Sequence, residues 1–157
     1  MSLSIKSSTK GLEELQKYFE DITERTEDLR PIERELGDIQ REELKLRFLS
    51  SPATEVGGVV HGGAYWNRLS DFYLSMVPRR RGKQIMIDTQ KLKMDSTLDG
   101  PGNNSEFRGS EYEFTINTSY AAEQNSMREL LFWSETLLDK TTEKVINYIL
   151  TGETREV

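Results

Sequence analysis

The sequence predicts an α+β fold, with N-terminal helices and a C-terminal helix packed on a small, mostly antiparallel sheet. Three patterns carry the prediction. Apolar residues spaced three and four apart run through the first fifty positions, strict alternation marks Glu111 to Thr118, and a capped helical pattern runs from about Glu135 to Gly152. At 157 residues the chain fits one domain spanning 1–157, with a helical part at 11–49 and a sheet-containing part at 64–150.

Leu3, Ile5 and Ser7 alternate with polar neighbours and end at Gly11, the pattern of a short edge strand. Leu12, Leu15, Phe19 and Ile22, then Leu29, form one apolar stripe of a first helix. Pro31 steers Arg30 away from helical angles, so a break is expected there. A second helix restarts at Pro31 with Ile32, Leu36, Ile39, Leu46 and Leu49 on one side, and Gly37 marks a weak spot or a close contact. Glu43 and Arg47 read as solvated neighbours at i,i+4.

Residues 50–63 are glycine-rich and irregular. They do not form a phosphate-binding loop, because Ala64 and Tyr65, not a Lys-Ser/Thr pair, follow Gly63. A short helix is expected over Asp71–Met76 after Ser70, a short strand over Gln84–Asp88, and a second short element over Lys91–Leu98. Residues 99–105 give the strongest turn signal. Glu111–Thr118 then places Tyr112, Phe114 and Ile116 opposite Glu111, Glu113 and Thr115, a strand with one face in water. Residues 119–122 read as a turn. The last helix has Ser134 as N-cap, Leu138, Thr141, Val145 and Ile149 on its apolar face, and Gly152 as its stop.

Hydrophobic residues make up 35% and charged residues 31%, a polar balance that predicts a small core with elements covered by neighbouring subunits. Without cysteine there is no disulfide framework, no thiolate nucleophile and no cysteine zinc site. Neither a secretory leader nor a run of about 18 apolar residues is encoded, which predicts a soluble cytoplasmic product with no membrane contact. A net charge of −6 repels polyanions, so sequence-specific nucleic-acid binding is not expected. Arg79, Arg80, Arg81 and Lys83 are the local exception, readable as a solvated loop or as a contact with DNA or an acidic partner.

No catalytic, cofactor or metal constellation stands out. Adjacent carboxylates such as Glu13 and Glu14, or Glu42 and Glu43, point about 100° apart on a helix and read as solvated faces. Asp88, Asp95 and Asp99 lack calcium-loop spacing, and His61, the sole histidine, has no ligand or acid at a reactive sequence spacing. Tyr65, Trp66, Phe72, Tyr73 and Tyr120 are large anchors that fit either a core or an interface.

The order of these blocks resembles the tailed-bacteriophage virion-morphogenesis family, described as tail-completion or head-tail joining proteins. The resemblance rests on Gly11–Leu15, on Leu29–Gly37 leading to Phe48, and on Trp66–Ser70 at the family's Trp-x-x-Leu-Ser block. It continues through Ile85–Leu92 at the Leu-x-x-Thr-Gly-x-Leu block and Thr118–Ala121 at the Gly-Thr-x-x-Tyr-Ala block. The chain departs from the pattern at Gln90 and Asn117, where the family carries glycine, and at residues 123–125, where it carries His-Gln-x-Gly. The resemblance implies a non-enzymatic neck protein of the virion, made in the host cytoplasm. It would form a homo-oligomeric ring of several, about six, copies around the DNA channel and contact other neck and tail proteins. Double-stranded DNA would pass through without sequence-specific binding. The alternative from the residues alone is an adaptor that binds a partner helix along Leu12, Leu15, Phe19 and Ile22.

Overall fold

The computed structural model describes residues 9–88 and 90–154, so the expected strand at residues 3–7 lies outside the described residues. The fold is α+β: six helices and two small antiparallel hairpins. Helix α1 spans Thr9–Glu27 and α2 spans Glu33–Leu49, separated by a 3-10 turn at Arg30–Ile32 where Pro31 forbids continuous helix. The Asp28 carboxylate accepts from the Arg30 backbone N–H at 3.1 Å and from its guanidinium at 2.7 and 2.8 Å. These bonds hold the Asp28 carboxyl down at about 2.

Helix α2 is the axis of the molecule and packs on α4, α6 and the β3–β4 hairpin, whose ranges follow. Its buried positions include Leu36, Gln40, Leu44 and Phe48, one residue per turn, flanked by Gly37, Arg41, Glu43 and Arg47. The expected face through Ile39, Leu46 and Leu49 is therefore turned: Leu49 is exposed. Cover from several sides buries polar residues that a simple amphipathic stripe would leave in water. Gly37 is a close contact, since a Cβ there would sit 2.5 Å from Ser105 Oγ.

The main core gathers Leu44, Phe48, Val60, Trp66, Ile85, Leu92 and Leu130, and a second cluster joins Ile32 and Leu36 to Tyr148. Strands β1 (Gly58–Val59) and β2 (Tyr65–Trp66) form a small hairpin inside the glycine-rich stretch. Strands β3 (Asn103–Arg108) and β4 (Glu111–Ile116) form the larger one, with Ser105 opposite Phe114 and Phe107 opposite Tyr112. The two hairpins are separate, not one sheet, and β3 begins inside the stretch read as turn, at Asn103, and continues past it to Arg108. β4 is the strand expected, but Tyr112 to Ile116 are half-buried on both faces, with neither face left in water. Burial pushes its Tyr112 phenol up to about 12, against the lowering effect of the Ser105 hydroxyl.

Residues 84–88 are not a strand. Gln84 makes one isolated bridge to Ala53, and Met86 turns the backbone to φ 60°, which ends any extended run. Helix α3 (Asp71–Met76) forms as expected with Ser70 Oγ accepting from the Tyr73 N–H. Helix α4 covers Lys91–Thr97; the expected turn is present at Ser119–Tyr120 and leads at Ala121 into α5 (Ala121–Met127), a helix that the sequence pattern does not announce. Helix α6 (Glu135–Thr151) starts at the Ser134 cap and stops at Gly152, φ 74°. Its buried side runs through Leu137 and Tyr148, and Leu138 is exposed. Asp28 and Leu29 meet α6 at Tyr148 and Val145, and Arg25 donates to the carbonyls of Ile149 and Leu150. The two helices are therefore antiparallel, and the first half of α1 continues past the end of α6.

Candidate functional site

A cleft of about 620 Å³ opens between α3, the 80–92 segment and α5. Leu69, Tyr73, Ile85, Met86, Leu92, Tyr120 and Met127 supply its apolar wall; Arg80, Asp88, Gln90, Glu123, Gln124 and Arg128 supply the polar groups. It brings together Tyr73, Tyr120 and Arg80, three of the residues singled out in the sequence. Met86 and Gln90, at φ 60° and 62°, are the non-glycine residues with left-handed backbone among the described residues. Each such position costs about 1–3 kcal/mol and persists only where its surroundings over-determine it.

Arg80 supplies part of that constraint. Buried among neighbours, it donates to the Ile87 carbonyl at 2.7 Å and the Gln84 carbonyl at 3.3 Å, and stands 3.5 Å from Asp88. Its own carbonyl accepts from Thr54 Oγ1 at 2.7 Å. Arg128 lies on the opposite wall, donating to the Asn67 carbonyl at 3.1 Å. Burial and the nearby Arg80 charge both lower its pKa from the ordinary value.

The basic run divides into two functions. Arg79 forms a two-point contact with Asp88 at 3.1 and 3.2 Å, and Arg80 is buried, which removes Arg80 from the residues expected at a solvated loop or a contact with DNA or an acidic partner. Arg81 and Lys83 are exposed, while Glu55 accepts the Gly82 N–H at 2.6 Å and stands 2.9 Å from the Thr54 hydroxyl. Those bonds, with Arg81 nearby, hold the Glu55 carboxyl below its ordinary value.

The aromatic anchors also separate. Trp66 is 0% exposed, donates from Nε1 to the Glu129 carbonyl at 3.1 Å, and packs edge-on against Phe48, so it is a core residue and not an exposed anchor. Tyr120 is half-buried in the cleft wall. Tyr65, Phe72 and Tyr73 remain exposed, Phe72 to 77%, and Met76 extends the same bare side of α3. On α1, Leu12, Leu15 and Phe19 are exposed along a shallow groove edged by Glu20, Glu24 and Glu27.

One polar cluster escaped the sequence reading. Glu43 and Arg47, expected in solvent, are a fully buried ion pair at 3.1 Å. Arg47 also donates to the carbonyls of Leu130 at 2.6 Å and Phe132 at 3.0 Å and lies 3.7 Å over the Phe132 ring. The second Glu43 oxygen lies 3.2 Å from His61 Nε2, and Ser134 Oγ donates to Oε1 at 2.8 Å. His61 therefore has an acid beside it, supplied by tertiary folding from a helix eighteen positions earlier. Burial works against the Glu43 charge, but Ser134, Arg47 and His61 together prevail and hold its carboxyl below the ordinary value. Burial lowers Arg47 despite that partner. The order is hydroxyl, carboxylate, imidazole, so the serine faces a carboxylate held below its ordinary pKa and not the imidazole. A nucleophile triad needs the imidazole in the middle. The cluster is suited to tying α2 to the 130–134 segment and the start of α6.

Among the described residues no group of three or more acidic or histidine side chains has the geometry to hold a metal ion, and no helix is long and apolar enough to cross a membrane. No family model matches the chain, and no curated protein or solved structure matches it significantly.

Proposed function

We propose that this chain is a non-enzymatic assembly protein, a structural neck component of a tailed bacteriophage that completes the tail or joins it to the head. The observation that carries the reading is exposed apolar surface in two places, Leu12, Leu15 and Phe19 on α1 and Phe72, Tyr73 and Met76 on α3. Contiguous apolar surface of this kind calls for a partner, and the polar groups of the described residues are arranged to brace the fold. The phage assignment rests on the block order described above. One feature of the backbone supports it: Gln90 has the left-handed φ that glycine adopts most easily, at a position where the family pattern carries glycine.

In this reading the chain acts in the virion, as a ring of copies around passing DNA, among other neck and tail proteins. DNA or an acidic neighbour would meet Arg79, Arg81 and Lys83, with Arg80 reserved for the fold. Electron-microscope counts of free heads, free tails and joined particles test it. Removing the chain should leave heads and tails unjoined, and Arg79→Ser with Arg81→Ser and Lys83→Ser should reduce joining without unfolding the protein. Normal numbers of infectious particles made without the chain would overturn the assignment.

The bare stripe of α1 favours a second reading, an adaptor that receives a partner helix there. Stoichiometric capture of one amphipathic peptide by a monomeric chain, with no self-association, would select it over the ring.

A further inference from the structure

The first half of α1 is a helix that no described element supports. Residues 11–20 are exposed throughout, and the pairing of Arg25 with the last carbonyls of α6 sends this segment about 15 Å beyond the end of α6. An isolated helix of that length is marginal in water, so an amphipathic stripe of Leu12, Leu15 and Phe19 is stabilised chiefly by what covers it.

Charge identifies the cover. Residues 11–27 hold six carboxylates and two cations, and among the described residues Glu24 and Glu27 have no cation within ion-pair distance. Two copies of α1 laid against one another would bring these carboxylates together. Residues 68–83, which include α3 and part of the cleft wall, hold five cations and one carboxylate; Arg68 is paired with Asp71, and Arg79 and Arg80 with Asp88, which leaves Arg81 and Lys83. Arg81 and Lys83 are exposed, Arg81 donating from Nε to the Leu74 carbonyl at 3.4 Å and Lys83 lying in an adjoining hollow that shares Arg80, Asp88 and Gln90 with the cleft. The cleft volume of about 620 Å³ is large enough to receive a few apolar side chains.

We infer that the projecting half of α1 docks in the α3–α5 cleft of a second copy of this chain, seating Leu12, Leu15 and Phe19 on Tyr73, Tyr120 and Met127. The carboxylates of α1 meet the cationic edge formed by Arg81 and Lys83. Because the two surfaces differ, the contact is head-to-tail and propagates, closing into a ring where the rotation allows and extending as a filament where it does not. The inference rests on the assembly reading only in taking the neighbour to be another copy.

Its signature is complementation between two crippled variants. Leu15→Glu with Phe19→Glu disables the helix; Met127→Glu disables the cleft, with Tyr73→Ser as a second cleft variant. All four positions are exposed, and circular dichroism with melting curves verifies that each variant is folded. By light scattering across a concentration series, the unaltered chain should self-associate, and each variant should weaken association about 100-fold. An equimolar mixture of a helix variant and a cleft variant retains one intact helix and one intact cleft, so it should give a one-to-one dimer and nothing larger. A monomeric unaltered chain, a mixture that stays monomeric, or a cleft variant that still associates fully would overturn the inference. Particle counts remain a separate readout: a monomeric chain still needed for joining refutes the docking and leaves the proposed function standing.

Discussion

Helices α1 and α2 make a natural pair for comparison. They contain nineteen and seventeen residues and mix Glu, Arg and Lys with spaced apolar positions. The cleaner stripe belongs to α1, yet its leading half is bare, whereas α2 buries Gln40, Arg41, Glu43 and Arg47 along with Leu44 and Phe48. Amphipathic spacing states that a face needs cover. It does not state what covers it, because cover is supplied by elements distant in the chain. Around α2 these are α4, α6, a hairpin and the 130–134 segment, and the carbonyls of Leu130 and Phe132 and the Ser134 hydroxyl satisfy charged groups that would otherwise be forced out. Around the first half of α1 no described element stands in that place.

The sharpest way to break the contrast is Arg47→Ala on α2. It leaves Glu43 buried without its partner and strips the Leu130 and Phe132 carbonyls of a donor, so chemical denaturation should show a loss of about 3–5 kcal/mol. A loss under about 1 kcal/mol would mean that water reaches the pair and that α2 is no better covered than α1.

Trp66→Ala removes the large ring against Phe48 and should cost about 3–5 kcal/mol in the isolated chain, lowering its melting temperature. Unchanged melting would take Trp66 out of the core on which the contrast depends.

Acid sharpens the comparison further. The folded Glu43 carboxyl titrates below its ordinary 4.5, so its ionised form contributes stability that is complete above that value and is lost as pH falls through the lowered folded value. Melting temperature plotted against pH should fall below about pH 4.5 more steeply for the unaltered chain than for Glu43→Gln. Parallel curves would assign the acid sensitivity to surface carboxylates such as those of α1.

The smallest effect belongs to α1. Phe19→Ala, on an exposed face, should change the stability of the monomer by no more than about 0.5 kcal/mol. A loss comparable to that of Trp66→Ala would show that the stripe is covered within the chain.

Local chemistry was legible where one short segment suffices to specify structure. Pro31 breaks the helix, Ser70 and Ser134 cap the next ones, Gly152 ends the last, and the alternation from Tyr112 to Ile116 gives β4. Its partner β3 was masked by a glycine and asparagine composition that also makes turns; only pairing with β4 draws Asn103–Arg108 into a strand. The 84–88 segment carried the reverse error, since alternating Ile85 and Ile87 look like a strand until Arg80 fastens the loop and Met86 turns it.

The candidate site was legible as residues and not as a place. Tyr73, Arg80 and Tyr120 stand out by type, whereas Met127 and Arg128 carry no local signal, and α5, which brings them to the cleft, read as a turn and its sequel. By itself the sequence determined the α+β class, the break at Pro31, the capped starts of α3 and α6, the Gly152 stop and the absence of any cysteine chemistry, because each depends on neighbours in the chain or on composition. Tertiary structure alone decided that Trp66 is core, that Glu43 and Arg47 lie in the interior beside His61 and Ser134, that Arg80 braces a loop, and that the stripe of α1 stays bare. Those outcomes depend on whether a distant segment arrives to exclude water and complete the hydrogen bonds, and the spacing of apolar and charged residues within one helix holds no record of that arrival.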